Sequence, residues 1–344
     1  MATVASSLVK AHRVERAVTQ AWPAYLITLL VALAASYSFS PRPAPPFAAT
    51  QVHPDDLLIT GVAASGQRLV AAGEQGKILF ADDAEGPWRE ARVQPQRGST
   101  LTQIKFVTPD TAIAVGHDGW ILRSEDAGRS WREVQFNPDM SDPLLAVAGP
   151  YDGKLFAIGG FGLFYTSADE GRSWVREDHP VIGDRHLNAL LRADDGSLLL
   201  VGERGFVAQS ADNGRSWTVL DEFYPGSFFG ALSLPSHDLL VFGMRGNVFR
   251  SADYGKTWQK VAVPTGVSLF GGAVVRDGRV LLVGAGDTVL VSSDGARHFE
   301  LAERGDRQSL ADIVPLMDGG WLMGGEAGIK HRAATPAAPG GDAS

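Results

Sequence analysis

Short apolar runs punctuate the chain at a nearly constant interval. Runs such as Ala112-Ile113-Ala114-Val115, Leu198-Leu199-Leu200-Val201 and Leu239-Leu240-Val241-Phe242 each end at a glycine. Those glycines are Gly73, Gly116, Gly159, Gly202, Gly243, Gly284 and Gly325, spaced 43, 43, 43, 41, 41 and 41 residues apart. Three positions later stands a second glycine (Gly76, Gly119, Gly162, Gly205, Gly246, Gly328), with Asp287 in the remaining slot. A shorter apolar run follows, as in Trp120-Ile121-Leu122 or Asn247-Val248-Phe249. Two apolar runs joined by a glycine-bearing turn predict a β-hairpin. A hairpin recurring at this interval, with room for four short strands, predicts the blade of a β-propeller. Seven registers predict an all-β, seven-bladed ring over 55–332, in which each blade covers its faces only by stacking on its neighbours.

A second motif keeps the same register. Ser124-Glu125-Asp126-Ala127-Gly128-Arg129-Ser130-Trp131 is repeated at Ser167–Trp174, Ser210–Trp217 and Ser251–Trp258. Degraded copies fall at Ala81, Asp83 and Trp88, and at Ser292, Asp294 and Phe299. These octapeptides resemble the Asp boxes of BNR-type propellers. The aspartates (Asp126, Asp169, Asp212, Asp253) can accept backbone N–H groups of their own turns. Glycine supplies the positive φ, and Trp131, Trp174, Trp217 and Trp258 offer large flat surfaces for burial between blades. One carboxylate per turn makes a poor cage for a calcium ion that takes about six to eight oxygens. The motif therefore reads as structural, and no metal site or cofactor is predicted.

The seventh unit ends at Gly328-Ile329-Lys330-His331-Arg332 without a box or a fourth strand. The expected donor of that strand is the segment from Phe47 to Val52, which would close the ring and remove its open edges. Residues 333–344, rich in Ala, Pro, Gly and Ser, read as a disordered tail.

From Ala17 to Pro41 no residue is charged, and Lys10, Arg13 and Arg16 precede that stretch. The organisation expected is a basic cytoplasmic leader (1–20), a transmembrane signal-anchor (21–40) and a proline-rich linker (41–54) before the propeller. About 20 apolar residues suffice to span the hydrocarbon layer. Basic residues ahead of the span keep that end in the cytoplasm, placing the ring on the periplasmic side of an inner membrane. Ala32-Leu33-Ala34 also looks like a signal-peptidase site, so a soluble periplasmic product after cleavage is the alternative.

The net charge of -8 excludes an electrostatic grip on nucleic acid, and the absence of cysteine excludes disulfides, thiolate metal sites and a lipidated cysteine. Candidate binding residues fall on the glycine-pair turns and blade connections: His117, Phe161, Arg204 and Arg245, with Phe223 and Tyr224 expected as exposed aromatics. A sialidase-like or other carbohydrate-active enzyme is the competing reading. Arg204, Arg245, Arg304, Tyr224 and Glu203 supply residue types for it, but the Arg-Ile-Pro motif is absent.

With box, glycine ladder, seven units and an apolar leader together, the chain from about Asp55 to Arg332 is similar to the photosystem II stability and assembly factor family. The resemblance implies a monomeric, non-enzymatic scaffold that binds an integral membrane protein through an arginine-bearing patch, matched here to Arg204 and Arg245. Cyanobacterial members carry a lipidated cysteine that this chain lacks, so the client need not belong to a photosystem.

Overall fold

The computed structural model describes residues 22–39, 53–137, 139–305 and 307–334. The chain divides into two units, Met1–Gln51 and Val52–Ser344. In the first unit, Trp22–Phe39 is an uninterrupted helix without a charged residue. Its 18 residues span about 27 Å at 1.5 Å per residue, long and apolar enough to serve as a membrane span or a signal helix.

The second unit is a seven-bladed β-propeller. The first strands of the seven sheets are Ile59–Ser65, Leu101–Phe106, Leu144–Tyr151, Leu187–Arg192, Phe228–Ser233, Leu269–Val274 and Leu310–Pro315. Each contacts the next, and the seventh contacts the first, so they form a closed ring about a central channel. Strands follow one another in antiparallel order outward through each sheet. The second strands are buried at every position but Lys154, which explains their continuous apolar runs.

Two blades depart from the four-strand expectation. Blade 2 carries a fifth strand, Arg92–Gln94, paired in parallel with its fourth, Ser130–Gln135. The chain leaves blade 1 after the two-residue strand Arg89–Glu90, buries Ala91, and joins its neighbour's outer edge, stitching the two sheets together. Blade 7 has three strands among the described residues. The expected closing strand, Phe47 to Val52, lies outside the described residues.

The glycine ladder has a steric cause other than turn formation. Gly73, Gly116 and Gly159 have φ of -169°, -169° and -167°, which is extended backbone. A Cβ at any of the seven ladder positions would lie 1.9–2.3 Å from the carbonyl oxygen of the residue preceding its own blade's first strand. In all seven blades that same carbonyl accepts the N–H of the residue after the glycine, at 2.8–3.0 Å. Each first strand also shifts register by one residue after its opening position, a β-bulge repeated seven times. Bulged side chains reach the next blade: Thr60 Oγ1 donates to the Leu101 carbonyl at 2.5 Å, and Asn188 Nδ2 to the Phe228 carbonyl at 2.7 Å.

The octapeptide turns are built alike. Ser210 Oγ accepts the N–H of Gly214 at 2.8 Å and donates to Asp212 Oδ1 at 2.8 Å. Asp212 also takes the N–H and hydroxyl of Ser216 at 2.9 and 2.6 Å. The same bonds recur around Asp126, Asp169 and Asp253. Asp294 keeps the pattern with His298 in the hydroxyl's place. These bonds hold the carboxylates below their usual range: hydrogen bonds from Ser173 lower Asp169 to about 2. Trp131, Trp174 and Trp217 are buried in apolar clusters that each join their own blade to the preceding one.

Candidate partner-binding rim

The second position of the glycine-pair turn is where the ring displays its most variable side chains. Gln75, Asp118, Phe161, Arg204 and Arg245 occupy it in blades 1 to 5, all left-handed with φ between 52° and 60°. In blade 6 the position is Gly286 (φ 66°). Left-handed backbone suits glycine and costs other residues roughly 1–2 kcal/mol, so five non-glycine residues here are a repeated local strain.

Blades 3 to 5 join these turns into one arc. Phe161 is 56% exposed and meets the imidazole of His186 edge-on, with ring centroids 4.9 Å apart. His186 is pinned to the next turn: its N–H donates to Glu203 Oε1 at 3.3 Å, and its carbonyl accepts the N–H of Glu203 at 3.0 Å. Arg204 is the next residue, and its side chain is exposed. Beyond it, the Gly205 N–H donates to the Gly226 carbonyl at 2.9 Å. The hydroxyl of Tyr224 donates to the carbonyl of Met244 at 3.1 Å, in the turn that carries the exposed Arg245. Among the described residues, neither Arg204 nor Arg245 forms an ion pair through its side chain.

Two acidic residues elsewhere on the rim are paired within the ring. Asp118 accepts the hydroxyl of Ser99 at 2.5 Å, and Asp287 is paired with Lys330 at 2.9 Å. His117 is exposed in the first position of the blade 2 turn, whose Gly119 N–H donates to the Asp142 carbonyl at 3.3 Å at the entry to blade 3. The ring's unpaired positive charge and exposed aromatic carbon at the turn position thus fall together in blades 3 to 5.

The expectation of exposed aromatics at Phe223 and Tyr224 is not met. Phe223 stacks on Trp258 at 5.1 Å with 13° between planes, and touches Phe228 and Phe249. Trp258 is only half-buried, and Phe223 covers its face, so the phenylalanine completes an inter-blade cluster. Tyr224 packs on Phe228 and Phe249 and spends its hydroxyl on Met244 and on Asn247 Nδ2. Both residues scaffold the arc. His186 was missed by sequence reading because a lone histidine before a strand carries no pattern. The turn glutamates do: Glu74, Glu203 and Glu326 share one register, and each accepts the N–H of a residue at or just before its blade's first strand.

A second polar feature lines the central channel. Asp312 of blade 7 accepts the Val62 N–H of blade 1 at 3.0 Å and its neighbour Ile313's N–H at 2.8 Å. It shares a cavity of about 260 Å³ with Gln103 and Lys105 of blade 2. Burial pushes Asp312 up to about 6, against the opposing pull of the two N–H donors and Lys105, and burial lowers Lys105.

No family model matches the chain, and no curated protein matches it in sequence. Solved structures do match. YCF48 bound to D1 peptide aligns with a TM-score of 0.67 at 18% identity, covering 86% of this chain and 98% of that one. YCF48 from Cyanidioschyzon merolae aligns with a TM-score of 0.66 at 14% identity, covering 81% and 96%. The WD40 propeller domain of Doa1 aligns with a TM-score of 0.64 at 10% identity, covering 80% and 93%. What is shared is the ring. At these identities the likeness establishes fold and leaves function to the rim.

Proposed function

We propose that this protein is a non-enzymatic scaffold, tethered by its apolar helix, that binds an exposed segment of an integral membrane protein and stabilises or helps assemble the complex containing it. The observation that carries this reading is the arc from Phe161 through His186 and Arg204 to Arg245, unpaired in charge and fixed by backbone hydrogen bonds across three blades. Turns fixed this way need not reorder on docking, which favours recognition by a pre-organised backbone. The YCF48 ring bound to a D1 peptide is a precedent for a propeller of this shape holding a peptide. Lys10, Arg13 and Arg16 ahead of the helix favour a periplasmic ring. The groups a sialidase would need are otherwise engaged: Tyr224 hydroxyl and Glu203 carboxylate both bond to backbone atoms.

The test compares the full chain with its Arg204→Glu/Arg245→Glu variant, each crosslinked in native membranes, captured and analysed by mass spectrometry. An integral membrane protein crosslinked to the wild type and lost from the variant is the expected result. Equal capture by both, or capture of no membrane protein by either, overturns the proposal.

A further inference from the structure

Resting on that reading of the arc, we infer that Phe161, His186 and Pro143 form an aromatic subsite beside Arg204, and that the bound segment is an acidic peptide carrying an aromatic side chain. Phe161 is the starting point. A bulky side chain at φ 52° is strained, and this one recovers little by burial because more than half its surface remains in water. The fold does not demand it, since blade 6 places glycine at the equivalent position. Strain kept at an exposed position marks a residue retained for what it can touch.

The surroundings specify that contact. Gly160 lies between two rings: a Cβ there would be 3.2 Å from Pro143 Cδ and 3.6 Å from His186 Nε2. The Gly160 N–H donates to the Pro143 carbonyl at 2.8 Å, fixing this floor. Pro143 and His186 are half-buried, and the Phe161 ring meets the His186 imidazole at 71° between planes. An incoming ring can stack on what is left open, and such a pair contributes about 0.5–1.5 kcal/mol beyond the area it buries. Because His186 is bonded to Glu203, the platform and the Arg204 backbone are held on one element, with the guanidinium free to reach over it. A carboxylate on the same peptide meets that guanidinium as a charge-assisted hydrogen bond. The charge sign is also selective, since a net charge of -8 repels acidic peptides elsewhere on the molecule.

The test uses two fluorescein-labelled peptides, Gly-Asp-Trp-Glu-Asp-Gly and its alanine counterpart at the tryptophan position, titrated by anisotropy against the full chain in detergent micelles. Wild type is expected to prefer the tryptophan peptide about fivefold. Phe161→Gly and Phe161→Asn both tolerate the left-handed backbone. Each is expected to melt no lower than wild type and to bind the two peptides equally. Arg204→Glu/Arg245→Glu is expected to weaken both peptides while keeping the preference. A preference that survives in either Phe161 variant, equal binding by wild type, or no binding of either peptide overturns the subsite. If the preference vanishes in the Phe161 variants but the arginine reversals change nothing, the subsite stands and the cationic arc falls.

Discussion

The alpha carbon of Gly202 lies so close to the carbonyl of His186 that a Cβ added there would sit 2.2 Å from the oxygen. The same carbonyl accepts the N–H of Glu203, and the same histidine supports Phe161. Gly202→Ala should therefore force the first and second strands of blade 4 apart and destabilise the ring by about 2–3 kcal/mol. Gly266→Ala is the control. It has open space around it and no left-handed φ, so its stability should stay within about 0.5 kcal/mol of wild type or rise slightly. Urea unfolding monitored by tryptophan fluorescence reads both.

The tryptophans of the octapeptide turns should differ in weight. Trp131 is 2% exposed and donates Nε1–H to the Gly128 carbonyl at 3.0 Å. Trp131→Ala should cost about 3–5 kcal/mol. Trp258 is half-buried and its Nε1 has no partner, so Trp258→Ala should cost about 1–3 kcal/mol. In a Phe223→Ala background that smaller effect should shrink further, since the stacking partner is gone. A double-mutant cycle in chemical unfolding measures the difference.

Acid should loosen the turns. Asp126, Asp169, Asp212, Asp253 and Asp294 are all held below the ordinary aspartate range, Asp169 at about 2. A carboxyl whose folded value is depressed contributes stability that is complete above its unfolded value and disappears as pH falls through its folded one. Replacing Asp169 with Asn should thus flatten the loss of thermal stability between about pH 4 and 2 relative to wild type. A pair of melting-temperature profiles that stay parallel across this window would contradict the assignment.

Asp312 should act in the opposite sense. Its folded value is raised to about 6, so the folded state holds the proton more tightly than the unfolded one. Its contribution is then most favourable below about pH 4 and declines as pH rises to about 6. Asp312→Asn should remove that decline and gain about 2 kcal/mol on wild type between pH 4 and 7. The amide oxygen can still accept the Val62 N–H that ties blade 7 to blade 1. Differential scanning calorimetry at pH 4, 5, 6 and 7 would show whether the two proteins converge at the acid end.

Much of the rim's geometry follows from contacts that no linear pattern reports. Arg204 and Arg245 could be picked out because the glycine pair fixes their turn position, and Phe161 stood out as a ring between glycines. Their union into one surface depends on His186, Glu203 and Tyr224, whose roles arise from hydrogen bonds across 17 to 23 residues of chain. Phe223 shows the reverse error. Its loop position suggested exposure, but the half-buried Trp258 needed a cover, and packing between blades claimed the ring.

The sequence alone determined the repeat, because each blade must satisfy the same local constraints: a glycine where a carbonyl presses on the backbone, a Ser-Asp pair to bond a turn, a tryptophan to cover it. Local constraints repeated at fixed intervals leave a periodic trace, and seven periods specify the ring. Only the tertiary structure decided the fifth strand of blade 2, the channel-lining carboxyl of Asp312 and the arc of unpaired arginines. Each of these depends on which residues of different blades face one another, and hence on long-range contacts absent from any single period.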